Sequence, residues 1–524
     1  MYFIHIVIMI ALIAIYCIQI VVKKEQINKI YTFFVFTIYV IYILLRALSL
    51  PIKYGILSTF LGIILFISEI MGCMAFFVYI IIFRNKYNLN KKYISDLRNG
   101  IPVVDILIPT YNEEVSLVEK TIYACTKIKY PKNKLNIYVL DDGKNIKLRK
   151  LCKEYKVNYI TREKNEYAKA GNINNALNKI NGEYFLVLDS DMIPYDNILE
   201  NMMGYFENKN IAFVQAPQTF YNPDVFQFNI NQELNNEQDF FMRYIEQARA
   251  ANGAVLHIGT NAIFKREFVL KVGGYPTSSI TEDMALGLLL QAEGYDSVFV
   301  NDELACGLSA TTYQDLIKQR DRWCRGNLQV MHNFKNVILK KLKLMQKMIY
   351  YDGVMYWLSG IAKTVYLIIP IFGFLGIPIV DRFATSLIPL FFLSFLGQIL
   401  LSKMILPKKI SKNYFKIFFS GNIYNTVMAP HLTFSVFKFC TKVDYKFNVT
   451  PKDSVNDKKF IYWKFVIPHV AIIVMLIISL SIGIFFTVYK KLSVQAFLIN
   501  LFWTLYNLPR AYLLNKDCNS TNKK

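Results

Sequence analysis

The sequence predicts a polytopic α-helical membrane protein with an α/β domain inserted between its spans. Three observations lead there. Hydrophobic residues make up 54% of the 524 and charged residues 19%, too apolar a balance for an average soluble chain. Long apolar runs gather toward both ends of the sequence. Between them the pattern changes to short apolar strands alternating with amphipathic helices, the signature of a sheet covered by helices.

The first three runs, Met1 to Val22, Ile30 to Leu50 and Ile56 to Phe83, can each cross about 30 Å of hydrocarbon at about 1.5 Å per residue. The first has no basic leader and no small-residue cleavage motif, so it reads as an anchor. Glu69 lies inside the third run, where an acid either faces a polar lumen or pairs with a neighbouring helix. From Arg84 to about Leu344 the strands "VVDILIP", "LNIYVLDDG", "VNYITRE", "EYFLVLDSD" and "IAFVQAP" predict a parallel sheet. No G-x-G-x-x-G follows the first strand and no G-x-x-x-x-G-K-[ST] occurs, which removes the dinucleotide and P-loop readings. Spans resume over Trp357 to Val380, Ala384 to Leu406, Trp463 to Tyr489 and Ala496 to Leu514. Tyr414 to Cys440, aromatic but interrupted by Asn, Gly, Pro and His, suits a helix at the interface. The expected organisation is three spans in 1–83, the α/β domain in 84–344 and two spans in 345–410. An interfacial helix and loop in 411–460, two spans in 461–515 and a tail in 516–524 complete it.

Lys plus Arg number 60 against 38 acids, a net charge of +22. The basic residues concentrate in "KKEQINK", "RNKYNLNKK", "KKISKNYFK" and Lys438 to Lys459, while "PIKYG" and "VDRFA" carry little charge. With the N-terminus outside and seven spans, the basic loops, the α/β domain and the tail fall on the cytosolic side; only "YKKLS" opposes this. The charge is then largely a topology signal, and no nucleic-acid partner is expected. Eight cysteines without a CxxC pair or Cys/His cluster indicate neither a zinc site nor a disulfide framework.

The chemistry-bearing segments sit at predicted strand ends. Asp189 and Asp191 of "VLDSDM", two apart on an extended segment, point the same way and can address one divalent cation. Asp141 and Asp142 of "VLDDG" end an earlier strand, either as a hydrogen-bond acceptor for a nucleoside or as a turn-forming pair. In "ITEDMALGL", Thr281 suits an N-cap, and Glu282 and Asp283 add carboxylates able to act as a general base. Gln319, Arg322 and Trp323 of "QRDRWCRG" share one helix face. They suit either a diphosphate and a sugar ring or lipid headgroups and an aromatic belt, while Arg320 and Arg325 of the same stretch are expected at lipid headgroups.

Read in order, "PTYNEE", "DDG", "AKAGNINNAL", "DSD", "QAPQTFYNPD", "GTNAIFKR", "TED", "QRDRW" and "FNVTPK" resemble a processive family-2 glycosyltransferase. The resemblance is to the bacterial cellulose synthase catalytic subunit, from about Asp105 to Lys452. It implies a cytosolic GT-A glycosyltransferase domain in a bacterial plasma membrane protein, using a UDP-sugar with Mg2+ or Mn2+. By motif, Tyr111, Glu113, Asp141 and Lys169 would hold the nucleotide, and Asp189 and Asp191 the metal and diphosphate. Asp283 would be the base, with Glu282 beside the acceptor. Gln319 and Arg322 would approach the diphosphate, and Trp323 would stack on the acceptor's terminal sugar. Phe447, Val449, Thr450 and Lys452 match a gating loop over UDP. The spans, with Trp323 at their mouth, would carry the polymer out.

Three departures qualify the resemblance. Ile258, preceded by His257, stands where similar enzymes carry Cys before Gly-[Ser/Thr], here Gly259 and Thr260. That segment lines the acceptor site, so acceptor register and linkage follow from it. Three spans precede the domain where four are usual. The sequence after the last span is too short for a cyclic-di-GMP-binding β-barrel, so no direct control through one is expected. The expected function is a membrane β-glucan synthase using UDP-glucose by inverting transfer, making cellulose or a mixed β-1,3/1,4-glucan. Its partners would be the growing chain and membrane lipids, with room for accessory secretion subunits. A curdlan-like or amino-sugar polymer, a non-processive enzyme acting on a lipid phosphate, and a basic membrane scaffold are the weaker alternatives.

Overall fold

The computed structural model describes residues 2–229, 235–381, 384–407, 412–443 and 463–507. The chain forms two compact units. One draws on Met1–Arg84, Met355–Phe434 and Ile461–Leu513, the other on Asn85–Val354 and Ser435–Phe460.

In the first unit, six helices among the described residues are long and apolar enough to cross a membrane. Their apolar windows are Ile4–Val22, Glu25–Tyr54, Ile56–Arg84, Leu344–Phe374, Leu387–Ile405 and Phe465–Val488, the fourth of them beginning in the second unit's sequence. The expected seventh is described only as the 14-residue helix Val494–Asn507. Tyr414–Cys440 is one continuous helix of 27 residues despite Pro430 inside it. Leu12, Tyr31, Val35, Phe76, Ile80, Leu393 and Leu401 form a buried apolar cluster between four of the helices. Glu69 is paired rather than facing a lumen: its Oε2 lies 2.9 Å from Arg46 Nε of the helix Glu25–Leu48. A charge in that setting is tolerable only with its partner beside it.

The second unit is built on a seven-stranded sheet. In chain order its strands are β1 (Val104–Thr110), β2 (Leu135–Asp141), β3 (Asn158–Ile160), β4 (Tyr184–Val187), β6 (Ile211–Gln215), β8 (Ala262–Lys265) and β9 (Asp296–Phe299). The spatial order is β3-β2-β1-β4-β8-β6-β9. Smaller strands β5 (Ile193–Pro194), β7 (Thr219–Phe220) and β10 (Ala305–Gly307) make a second sheet. All seven residues of β1 are buried, as a central strand covered on both faces requires. Alternation sorts them: Ile106 and Ile108 join Val118, Ile122, Val139 and Leu188 on one face. Leu107 joins Ile173, Phe185, Val187, Phe213 and Phe264 on the other. Asp105, fully buried within β1, accepts from Gly182 N at 2.6 Å and Asn136 Nδ2 at 2.7 Å, so its charge is satisfied in place.

The sheet is mixed rather than wholly parallel. β8 runs antiparallel to both β4 and β6, whereas β1, β2, β3, β4 and the β6–β9 pair are parallel. The reason is local. The chain enters β8 through Gly259 at φ +90° and Asn261 at φ +56°, a reversal that starts β8 beside the carboxyl end of β4. The strand order reverses beside β1, with β2 on one side and β4 on the other. A crevice at the carboxyl ends of β1, β2 and β4 is where open sheets of this kind bind ligands.

Candidate active site

The ends of β1 and β2 are in register, Thr110 opposite Asp141. Beyond β1, Glu113 turns back. Its Oε2 accepts from Thr110 Oγ1 at 2.6 Å and from Tyr111 N at 2.5 Å, which leaves the Tyr111 ring exposed at the crevice. Asp141 is buried, and its carboxylate is engaged by Gly143 N, Asn145 N and Tyr159 Oη, each at 2.7 Å. It therefore shapes the turn as the Asp-Gly reading foresaw. Its neighbour Asp142 is gripped by the Arg162 fork, Nε at 2.7 Å and Nη2 at 2.6 Å. The same guanidinium donates to Ala168 O at 2.9 Å. That bond restrains a chain that enters the helix Ala168–Leu177 with Tyr167 and Ala168 at positive φ, a cost of about 1–3 kcal/mol per residue that surrounding contacts must offset.

The first turn of that helix delivers Lys169. Its Nζ lies 2.5 Å from Asp189 Oδ1 and 2.9 Å from Gly259 O. Burial works against the ammonium, yet the carboxylates of Asp189, Glu282 and Asp283 outweigh it and raise the Lys169 pKa. Asp189 is partly exposed and Asp191 buried. Among the described residues no group of three or more His, Cys, Asp or Glu side chains could hold an ion unaided. Asp189 and Asp191, on either side of the turn at Ser190, are the carboxylates available to a divalent cation that takes its other ligands from substrate and water.

Thr260 carries a different role from the one its motif suggested. It is fully buried, and its hydroxyl accepts from Asp189 N at 3.0 Å and donates to Asn261 Oδ1 at 3.2 Å. It braces the D-x-D strand end from inside. Gly259, buried beside this brace, leaves space where a Cβ would come within 2.8 Å of Asp283 Oδ2 and 3.7 Å of Lys169 Nζ. Only glycine supplies both the φ and the space. Ile258 is half-buried, its N–H directed to Gln215 Oε1 at 3.3 Å. Beneath it lies a polar string that sequence reasoning missed. Gln215 is fully buried and donates to Ala216 O at 2.8 Å and Thr260 O at 2.7 Å. His257 sits between Gln215 Oε1 at 3.1 Å and Tyr275 Oη at 3.2 Å. Burial, reinforced by the Lys169 charge, pushes its pKa down to about 3, so the ring is neutral. "QAPQTF" was noticed as a motif, but nothing in it announced a buried amide.

The helix Glu282–Ala292 begins at Thr281, which occupies the N-cap position without making a side-chain cap bond. Thr281 instead packs against the helix Tyr313–Asn333. A Cβ on Gly326 would lie 2.6 Å from Thr281 Cγ2 and 2.9 Å from its Oγ1. Gln329 Oε1 accepts from Ile280 N at 3.1 Å, and Asn333 Nδ2 donates to Ser278 O at 2.7 Å, stitching helix to segment. Gln319, Arg322, Trp323 and Gly326 lie on one face, and of these Arg322 stands close enough to act on the charges of Glu282 and Asp283. Asp283 Oδ1 accepts from Met284 N at 2.8 Å. Burial raises the Asp283 pKa, while the Met284 N–H, Lys169 and Arg322 hold it back. Burial, with Asp283 beside it, pushes Glu282 up as well, to about 7. Gln319 is half-buried, and its Oε1 has no hydrogen-bond partner among the described residues.

Arg320 and Arg325, which the sequence left as candidates for lipid headgroups, are buried inside this unit. Arg320 pairs with Glu237. Arg325 donates to Val443 O and lies 3.9 Å from Asp321. The expected gating residues Phe447, Val449, Thr450 and Lys452 lie outside the described residues.

Residues 105–273 match the family Glycosyl transferase family 2, and residues 267–523 match the family Cellulose synthase. A UDP-forming cellulose synthase catalytic subunit of Pseudomonas fluorescens (strain SBW25) is 32% identical over 415 residues, 78% of this chain and 55% of that protein. Cellulose synthase 2 of Novacetimonas hansenii is 32% identical over 416 residues, 78% of this chain and 26% of that one. The chain thus spans about half the length, or less, of these curated relatives. A mannosyltransferase from Pyrobaculum calidifontis, solved in complex with GDP-Man and Mn2+, superposes with a TM-score of 0.51 at 16% identity. It covers 73% of this chain and 100% of its own, and shows the GT-A-like fold.

Proposed function

From a chain that is a family-2 glycosyltransferase resembling the bacterial cellulose synthase catalytic subunits, we propose a membrane-embedded processive β-glucan synthase. It polymerises glucose from UDP-glucose into cellulose or a mixed β-1,3/1,4-glucan and moves the chain across the membrane, its glycosyltransferase unit cytosolic. The observation that carries the reading is the meeting of two charge systems around Gly259: the Lys169–Asp189 pair on one side and the Asp283 carboxylate on the other.

The transfer forms one bond and breaks one. The acceptor hydroxyl oxygen attacks the anomeric carbon of the donor while the bond to the UDP oxygen breaks, and an α-linked donor gives a β-linked product. Asp283 takes the hydroxyl proton. Its raised pKa suits that task, because a carboxylate held above its usual range is a better base near neutrality. Lys169 and Arg322 bring positive charge toward the leaving diphosphate. Asp189 and Asp191 would hold a Mg2+ or Mn2+, which supplies further neutralisation of that diphosphate when bound. Tyr111 and Glu113 border the nucleotide at the β1 end, Gln319 lies on the diphosphate side, and Trp323 offers a flat face to the acceptor sugar. Ile258 and Gly259 occupy the acceptor side of Asp283, which favours keeping mixed linkage beside cellulose. Phe447, Val449, Thr450 and Lys452 complete the proposal as the loop over UDP. Membrane lipids, and accessory secretion subunits where present, are the remaining partners.

Purified protein in lipid, given UDP-glucose and Mg2+, is expected to release UDP and form insoluble polymer. Linkage-specific glucanases then assign the bonds. Absence of turnover with every UDP-sugar tried would overturn the proposal.

A further inference from the structure

We propose that Arg320 is a positioning residue for Trp323: stacked on one face of the indole and tethered by Glu237, it fixes the ring and leaves the opposite face to a sugar. The inference rests on reading Trp323 as the acceptor platform. Arg320 and Trp323 are three apart on the helix Tyr313–Asn333, and the guanidinium carbon stands 4.2 Å from the ring centroid. That is within the roughly 6 Å over which a cation is held by an aromatic face. The guanidinium is buried and so is unsuited to a headgroup.

A tether keeps it there. Glu237 ion-pairs with Arg320, and both side chains are almost wholly buried. The backbone N–H of Glu237 donates in turn to Asp224 Oδ2 at 2.7 Å. Asp224 closes the Y-N-P-D segment, its Oδ1 accepting from Phe226 N and Gln227 N at 2.8 Å each. The contacts therefore run from that segment through Glu237 and Arg320 to the indole. Arginine suits the last link because its plane lies flat on the ring while its edge donates to the carboxylate, which a lysine cannot do with one ammonium.

A sugar stacking on Trp323 gains from a ring already held in place, since less side-chain freedom is lost on binding. Releasing the guanidinium frees the indole without removing it. Acceptor retention should fall, while UDP-glucose binding, which uses other residues, should not.

The test uses the full chain in lipid nanodiscs. Arg320→Met combined with Glu237→Gln removes the tether without stranding a buried carboxylate. Products are expected to be about tenfold shorter, the scale of a desolvated cation–π contact, with the UDP-glucose KM unchanged. In a Trp323→Ala background the same pair should shorten products no further, because Arg320 acts only through the ring. Additive shortening, or a risen UDP-glucose KM, would overturn the proposal. Arg320→Lys, which keeps the charge, should restore little of the product length; full rescue would mean that charge rather than stacking matters and would also overturn it. A second readout needs no turnover. With Trp357, Trp463 and Trp503 replaced by Phe, acrylamide should quench Trp323 more strongly in the Glu237→Gln protein than in its parent, and equal quenching counts against the tether. A parent without turnover condemns the synthase reading, whereas quenching still decides the positioning role.

Discussion

Gly326→Ala isolates the docking of the helix Tyr313–Asn333 on the T-E-D segment. A Cβ at this position would lie 2.6 Å from Thr281 Cγ2, where carbon atoms prefer about 3.5 Å or more, so helix and segment must part by about 1 Å. The backbone has little room to absorb this, for the same Cβ would lie 3.0 Å from Thr281 N. Stability should fall by only about 0–3 kcal/mol, since overpacking costs about 1–3 kcal/mol and alanine returns up to about 1 kcal/mol of helix propensity. Catalysis should register it strongly. Thr281 immediately precedes Glu282 and Asp283, while Arg322 and Trp323 lie one turn before Gly326. A misplacement of about 1 Å between reacting groups is worth about 100-fold in rate, or about 2.7 kcal/mol in the barrier. The assay pairs steady-state UDP release with UDP binding by calorimetry and a melting curve, all on the same lipid-reconstituted protein. The expected outcome is kcat down about 100-fold, UDP affinity unchanged and a melting temperature within a few degrees. Turnover near that of the parent would refute the claim that this contact sets the distance between base and helix.

Three other perturbations follow from the same geometry. Arg322→Gln removes a positive charge that holds Asp283 down, leaving the Met284 N–H and Lys169 to oppose burial and Asp189, with the Glu282 carboxyl alongside. The Asp283 pKa then rises, and the acid limb of the kcat profile should move to higher pH; an unmoved limb would dissociate Arg322 from the base. Thr260→Val strips the acceptor from Asp189 N, a cost of about 1–3 kcal/mol for the unpaired donor, and should lower the melting temperature and raise the Mg2+ needed for half-maximal activity. Asp283→Asn should abolish elongation while retaining UDP binding, and an active variant would remove Asp283 as the base.

The strand-and-turn skeleton was legible because buried parallel strands announce themselves as apolar runs ending in Asp or Asn. β2 and β4 run out in this way at Asp141 and Asp189, whereas β1 and β6 are marked by the prolines Pro109 and Pro217 at or just past their ends. β8 escaped because four residues, "AIFK", read alike in either direction; its antiparallel sense comes from the reversal at Gly259 and Asn261. Asp189, Asp191, Glu282 and Asp283 stood out as candidates from residue type and position, and only the resemblance singled out Asp283 as the base. Thr260 could not be placed, since a hydroxyl's role depends on whether it faces the crevice or the Asp189 backbone. Arg320 and Arg325 defeated the sequence for a related reason. Their partners, Glu237 and Val443, lie 83 and 118 residues away, and an arginine without a visible partner reads as a surface charge. Glu69 was half legible: the sequence left it between a polar lumen and a partner helix, and Arg46 is the partner.

The reversal into β8 also divides authorship of the site. Parallel strands contribute their carboxyl ends, with Tyr111, Asp141 and Asp189 standing just past or at them. β8 contributes its beginning, so Ile258 and Gly259 arrive on a stretch of chain that runs the other way and shares no turn with those residues. Ile258 takes no part in the Thr260–Asp189 and Gly259–Lys169 bonds, so a change of its side chain can alter this stretch while the ends of β1 and β2 stay as they are. Under the proposed function, this wiring keeps the acceptor side at His257–Ile258 on a different piece of chain from the donor side at the ends of β1 and β2.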